Sequence, residues 1–294
     1  MSVKRHMTIA TDCCQFCGRP WARGSVSKSK EHVLGEWIRK LEENHPSEQR
    51  SFSTGYVLNE AATELIQVRP EIVNRKTALL TLKTREVCKN CNEGWMSDLE
   101  EDVKPTILQL AKSAEAGIAI VLSRKSRERF AVWAQKTALT YELTSNGPGV
   151  GNAAMGQMLR EGAPLRGSLV WVARHPRDYD ISLGLAQIDV SATPVARPGP
   201  PDRRVLMVAI TYHYMSILVF IADSKGQAWP QLSPTQWVLA WPAFGIGMVE
   251  FPPMSAVTGS ELTEIFTHPG RWIPPVQVSA IRDSDLDPEI RYRN

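Results

Sequence analysis

Cys14-Gln15-Phe16-Cys17 and Cys88-Lys89-Asn90-Cys91 are the two stretches from which the rest of the chain can be read. Each is a C-x-x-C, and together they use four of the five cysteines in the 294 residues. Two thiolate pairs make the ligand set of a tetrahedral Zn²⁺ site, because this metal has no d-electron geometry to satisfy and favours soft sulfur. About seventy residues separate the pairs, far more than a zinc finger spans, so the expected metal staples a domain together. Cys13 adjoins Cys14, and the two-residue spacing to Cys17 assigns Cys14 to the metal and leaves Cys13 as a spare thiol. Cysteines used as metal ligands rather than as disulfides fit a reducing cytosol, so a cytoplasmic protein is expected.

Moving outward, Ser29-Lys30-Glu31-His32-Val33 follows the first pair, and Asn92-Glu93-Gly94-Trp95-Met96-Ser97 continues directly from the second. An acidic residue followed by His, and then C-x-x-C-Asn, resembles the HNH endonucleases, in the branch where four cysteines bind a structural zinc beside a ββα-metal catalytic core. The Cys-Asn-x-Gly-Trp-Met-Ser-x-Leu-Glu run from Cys91 to Glu100 is similar to a recurring segment of bacterial and phage HNH-type proteins. The resemblance covers roughly residues 12–105, a third of the chain. It implies that Glu31 is a ligand of a catalytic cation, His32 the general base, and Asn92 the final metal ligand. The family also carries a middle Asn or His that orients the catalytic imidazole. Between Leu79 and Cys88 this chain has neither; Asn74 is the nearest, and Thr81 or a backbone carbonyl are the other candidates.

The implied activity is metal-dependent hydrolysis of DNA phosphodiester bonds, with RNA left open as a substrate. A side chain titrating near neutrality suits the abstraction of a proton from water, the role given to His32. Two oxygen ligands, Glu31 and Asn92, suit a hard cation such as Mg²⁺, and Mn²⁺ fits the same set. The zinc, closed by four sulfurs, would do no chemistry. Restriction, phage packaging, mobile-element movement and antiphage defence are all settings for such an enzyme.

The formal net charge of +3 is unevenly spread. Residues 1–150 hold 22 Lys and Arg against 18 Asp and Glu, and residues 151–294 hold 12 against 13. Phosphate neutralisation dominates nucleic-acid affinity, so the N-terminal half is the expected nucleic-acid face. Lys28, Lys30, Arg85 and Lys89, close to the motifs, are the candidate contacts. Met1 to Thr11 has no apolar run long enough for a signal peptide. Val205 to Ala222 is eighteen residues without a formal charge, but Thr211-Tyr212-His213-Tyr214 and Ser216 interrupt it, which predicts two buried strands rather than a membrane span.

The expected fold class is α+β. An N-terminal zinc-stapled ββα-metal domain would cover residues 1–116, a connecting helical segment 117–145, and a strand-rich domain of mixed structure 146–294. Ser25 to Leu34 and Leu79 to Val87 are the expected strands of the first domain, with a short helix over Glu36 to Glu43. A helix is expected from near Asn92, with Trp95, Met96, Leu99 and Val103 on its apolar stripe and Pro105 kinking or restarting it. Ser97-Asp98-Leu99-Glu100 is a competing capping-box signal. Further helices are expected over Pro105 to Ala116 and Glu128 to Leu143, with the basic run Arg124 to Arg129 before the second. Residues 44–78 carry the breakers Pro46 and Pro70 and resist assignment. After the turn signature at Ser145 to Gly149, strands are expected over Ser168 to Arg174, Ile181 to Val190, Arg203 to Thr211 and Tyr214 to Ala222.

Two other readings stand beside the nuclease. One is a zinc-stapled nucleic-acid or protein binding module without chemistry. The other places the function in the C-terminal region, which would bind a protein partner or a second copy of the chain.

Overall fold

The computed structural model of the chain describes residues 12–21, 26–38, 49–59, 64–71, 79–144, 150–176, 181–189, 204–222, 232–242, 249–253 and 255–271. The linkers at 145–149 and 194–201, Asn74 and all but the first turn of the expected 36–43 helix lie outside these residues. The architecture is mixed α+β, built on one large sheet.

The sheet has seven strands: β2 (Gln49–Leu58), β3 (Leu65–Glu71), β6 (Ser168–Arg174), β7 (Ile181–Asp189), β8 (Arg204–Tyr212), β9 (Met215–Ala222) and β10 (Trp237–Trp241). Their order is β10-β6-β9-β8-β7-β2-β3, and all neighbours are antiparallel except β2 and β7. Every residue of β8 and β9 is buried, because both faces of the sheet are covered. Leu206, Val208, Ile210, Ile217, Val219 and Ile221 turn to one core, while Val205, Met207, Ala209, Leu218 and Phe220 turn to the other. This two-sided burial is why the stretch is continuously apolar in sequence. The reversal falls at His213 and Tyr214, where His213 takes φ +50°. Among the described residues no helix is long and apolar enough to cross a membrane.

Residues 44–78, which resisted assignment, supply β2 and β3. β2 lies parallel to β7, with Gln49 opposite Ile181 and Val57 opposite Asp189. The sheet therefore draws strands from both ends of the chain. On its second face α5 (Gly259–Thr267) is anchored to β2, the Tyr56 hydroxyl donating to the Phe266 carbonyl at 2.6 Å.

Two helices connect the cysteine-bearing segment with the sheet. α2 (Ser97–Ala116) runs unbroken through Pro105, so the expected restart there does not occur. α3 (Arg124–Glu142) is buried on all sides from Phe130 onward, and its alanines Ala131, Ala134 and Ala138 let neighbours approach closely. Gln135 and Glu142 among its buried polar side chains are tied in by hydrogen bonds, whereas Trp133 Nε1 and Thr137 Oγ1 have no partner among the described residues. Gln135 donates to the Ser168 hydroxyl at 2.6 Å and accepts from the Leu165 amide at 2.8 Å. Glu142 accepts from the amides of Val150 (2.7 Å) and Gly151 (2.9 Å) and from Gln187 (3.1 Å). One hydrophobic cluster runs from Phe16, Leu34 and Trp133 to Val208 and Val219, so the cysteine segment and the inner face of the sheet share a core.

The basic run Arg124 to Arg129, expected before the helix, forms the first turns of α3. Ser123 caps it, accepting from the Ser126 amide at 3.1 Å; Arg124 pairs with Glu128 at 2.9 Å and Arg129 with Asp102 at 3.0 Å. Arg127 is buried.

α4 (Ala153–Arg160) lies against the first cysteine knuckle, and a Cβ at Gly156 would collide with the backbone of Phe16. Phe16 is fully buried inside the C-x-x-C loop and has no room to retreat. Gly156→Ala is expected to destabilise the protein by about 1–3 kcal/mol through overpacking. Urea unfolding measures this, and a midpoint equal to wild type would contradict the close packing.

Candidate metal centre and adjoining pocket

The two C-x-x-C segments meet through backbone pairing. The first is a tight loop in which the Gly18 amide donates to the Cys14 carbonyl at 2.8 Å, with Gly18 at φ +67°, a conformation that favours glycine. The second begins in extended backbone at Cys88 and turns at once into α1 (Lys89–Cys91), so Cys91 sits on a first helical turn. The Gln15 amide donates to the Glu86 carbonyl at 3.1 Å and joins the two segments.

This brings Cys14, Cys17, Cys88 and Cys91 together, with all four sulfurs within 4.8 Å of one another. Cys14 and Cys91 are 3.9 Å apart, Cys17 and Cys88 3.8 Å. Four sulfurs at the Zn–S bond length of about 2.3 Å would define a tetrahedron of edge about 3.8 Å. The spacing fits that metal and is far from a disulfide bond of about 2.05 Å. A hydrogen bond with the Cys91 thiol, opposed by burial and joined by the amides of Cys88, Phe16 and Cys17, holds Cys14 down to about 4. The Cys88 amide lies 3.3 Å from that sulfur. Cys91 is correspondingly pushed up by the same hydrogen bond and by burial. Cys13 stays outside the cluster among the described residues. Trp95 packs on Phe16 at 5.9 Å beside it, as part of the core.

The expected strands over 25–34 and 79–87 pair as an interrupted ladder. Residues 28 and 29 face 88 and 87, whereas β1 (Glu31–His32) faces β4 (Lys83–Thr84), Glu31 opposite Thr84 and His32 opposite Lys83. The register slips by one, leaving Arg85 and Glu86 opposite Lys30, a β-bulge. The bulge limits the regular pairing to two residues on each strand.

Beyond Cys91 the helical backbone continues through Asn92 and kinks at Gly94 (φ −99°, ψ −118°) before α2. The helix thus starts at Lys89 rather than near Asn92. Ser97 is itself in helical conformation and caps nothing, so the capping-box signal is not realised. Its last residue, Glu100, instead faces a pocket of about 180 Å³. Glu31, His32, Gly35, Asn92, Ser97 and Glu100 are among its lining residues.

The pocket is polar and held from behind. Glu31 is 5 % exposed, and its Oε1 accepts from the Lys136 ammonium at 3.0 Å. The same ammonium, fully buried in α3, donates to Glu100 Oε1 at 2.8 Å. Burial acts to lower the Lys136 pKa, but the Glu100 and Glu31 carboxylates outweigh it and hold the ammonium above its usual range. Asn92 donates from Nδ2 to the Ser29 hydroxyl at 2.6 Å, which leaves its Oδ1 as the remaining ligand atom. His32 is half-buried; desolvation and then Lys83 lower its pKa, opposed by Glu31, Glu36 and Glu100. A neutral imidazole therefore predominates at pH 7. Its ring makes no hydrogen bond to the other described residues, and Thr81 lies in a short 3₁₀ turn, Leu79–Thr81.

Lys28, Lys30, Arg85 and Lys89 are all exposed, Lys30 and Arg85 at the bulge. Lys28 lies 3.5 Å from Glu86 and 4.7 Å from the Trp21 ring centroid, and Lys89 lies 3.6 Å from Glu93. Exposed pairs of this kind contribute little, so a phosphate can compete for either lysine.

Glu100 and Lys136 were not among the residues expected at the site. Lys136 had a visible signal: it is the only charged residue between Arg129 and Glu142 on an apolar helix.

The purified protein should carry about one tightly held zinc per chain, measured by elemental analysis. Cys88→Ser should lose the metal and the folding of the surrounding segment, because structural zinc supplies roughly 10 kcal/mol or more. A zinc-free, fully folded wild type would contradict the assignment.

Comparison of the chain with protein-family models, curated proteins and solved structures gave no match to any of them.

Proposed function

We propose that the chain is a metal-dependent endonuclease of the HNH type, acting on DNA. One observation carries the reading: Glu31 and His32 on β1, and Asn92 just after the last cysteine, line one polar pocket beside the four-sulfur cluster. That is the grouping which the resemblance in sequence implies. The pairing of β1 with β4 and the helical run from Lys89 that follows are consistent with a ββα-metal core into which β2 and β3 are inserted.

The donor set fits a hard divalent cation. Glu31 keeps Oε2 and Asn92 keeps Oδ1, and Glu100 adds a second carboxylate to the same pocket. Mg²⁺ or Mn²⁺ bound there would stabilise the charge that develops on the phosphate and the departing 3′ oxygen. His32, neutral at pH 7, accepts the proton of the attacking water as its oxygen bonds to phosphorus and the P–O3′ bond breaks. Lys136 and Ser29 hold Glu31 and Asn92 in place from behind. Lys28, Lys30, Arg85 and Lys89 would contact the phosphate backbone, which carries no sequence information.

The zinc-stapled binding module is the second reading, and it is favoured by the His32 ring, which lacks an orienting hydrogen bond among the described residues. Plasmid nicking separates the two. The nuclease requires Mg²⁺- or Mn²⁺-dependent nicking that EDTA abolishes while zinc stays bound. His32→Ala should reduce the rate by about two to four orders of magnitude with zinc content and stability unchanged. Wild type that binds DNA but nicks it under no divalent metal would establish the binding module instead.

A further inference from the structure

Lys136 is an unusual neighbour for a metal pocket. Its ammonium is fully buried and bridges Glu31 Oε1 at 3.0 Å and Glu100 Oε1 at 2.8 Å, two carboxylates that line the pocket from different elements. It comes from α3, the helix whose Gln135 and Glu142 are tied to the sheet. Gly35 closes over Glu100 from the opposite side, since a Cβ there would collide with the carboxylate. Neither carboxylate can swing away without costing the buried ammonium one of its two ion pairs.

We infer that Lys136 is a positioning residue that acts as a permanent internal cation, setting the charge of the pocket so that it holds one exchangeable divalent ion at moderate affinity. The inference rests on the proposed function, in that the pocket must take up such an ion. Four carboxylates line the pocket, those of Glu31, Glu36, Glu93 and Glu100, and the Lys136 ammonium offsets one of their charges. Without Lys136 the same walls would carry one negative charge more, which attracts a second cation or retains the first too firmly for exchange. The ammonium occupies Oε1 of both carboxylates and Gly35 lies against Oε2 of Glu100, which leaves Oε2 of Glu31 for the exchangeable ion.

The test is a ladder of charge. Mn²⁺ binding to the zinc-loaded protein is followed by the EPR signal of the free ion at one fixed pH, in wild type, Lys136→Met, Glu100→Gln and the double variant. One unit of charge about 5 Å from a divalent ion changes its affinity by roughly tenfold even with solvent screening. Lys136→Met should therefore bind Mn²⁺ about tenfold more tightly or take up a second ion, and Glu100→Gln about tenfold more weakly. The double variant restores the wild-type charge and should bind within about threefold of wild type. If Lys136→Met fails to fold, the double variant still decides, because it has one fewer carboxylate to compensate. A double variant as weak as Glu100→Gln alone, or a folded Lys136→Met that binds as wild type does or less well, overturns the inference. Wild type that binds no Mn²⁺ overturns both this inference and the proposed function. Mn²⁺ binding that follows the ladder without any plasmid nicking supports the inference and overturns only the proposed activity.

Discussion

Four sulfurs within 4.8 Å of one another constrain everything near them. Cys14 and Cys17 come from a loop before β1, Cys88 and Cys91 from the start of a helix after β4. The regular strand pairing between those segments is only two residues long, and single backbone contacts such as Gln15 to Glu86 add to it. Closing a loop of about seventy residues is entropically costly, and a metal clip held by the four sulfurs would offset that cost. Once the clip is closed, β1 and the first helical turn lie side by side, and Glu31, His32 and Asn92 share a pocket. The chemistry we propose is a consequence of that closure.

The clip is not isolated from the rest of the molecule. Phe16, between the first two cysteines, is covered by α4, and the core that begins at Cys14 continues to the inner face of the seven-stranded sheet. α3 is the shared layer, giving Gln135 and Glu142 to the sheet side and Lys136 to the pocket. The pocket therefore has a rigid floor on a buried helix, which preorganises its carboxylates before any ligand arrives. β2 and β3 bind the two ends of the chain further, because they leave the N-terminal part to join strands from the C-terminal part.

What could be read in the sequence follows from where each signal is encoded. Ser168–Arg174 and the pair β8 and β9 were legible because two-sided burial writes a continuous apolar run, and the His213 region broke it at the turn. β2 was not legible: its sequence, Gln49-Arg50-Ser51-Phe52-Ser53, is polar, and its partner β7 lies about 130 residues away. Nothing local encodes a parallel pairing of that range. The cysteine quartet was legible from spacing alone. The competing signal at Ser97 to Glu100 is not realised, because the helical backbone arriving from Lys89 leaves no helix start there to cap, and Glu100 lines the pocket instead. The bulge opposite Lys30 was equally hidden, since a one-residue slip leaves no mark in composition.

The central claim is that the pocket between β1 and the helical segment takes a hard cation beside His32. Histidine-labelled protein, titrated with Mn²⁺ and followed by NMR, tests it directly, because the paramagnetic ion broadens only nearby nuclei. With the His32 signals assigned through His32→Gln, the account predicts that they broaden first, at substoichiometric Mn²⁺, while those of His175, His213 and His268 stay sharp. His32 signals that remain sharp, or that broaden no sooner than the others, would contradict it.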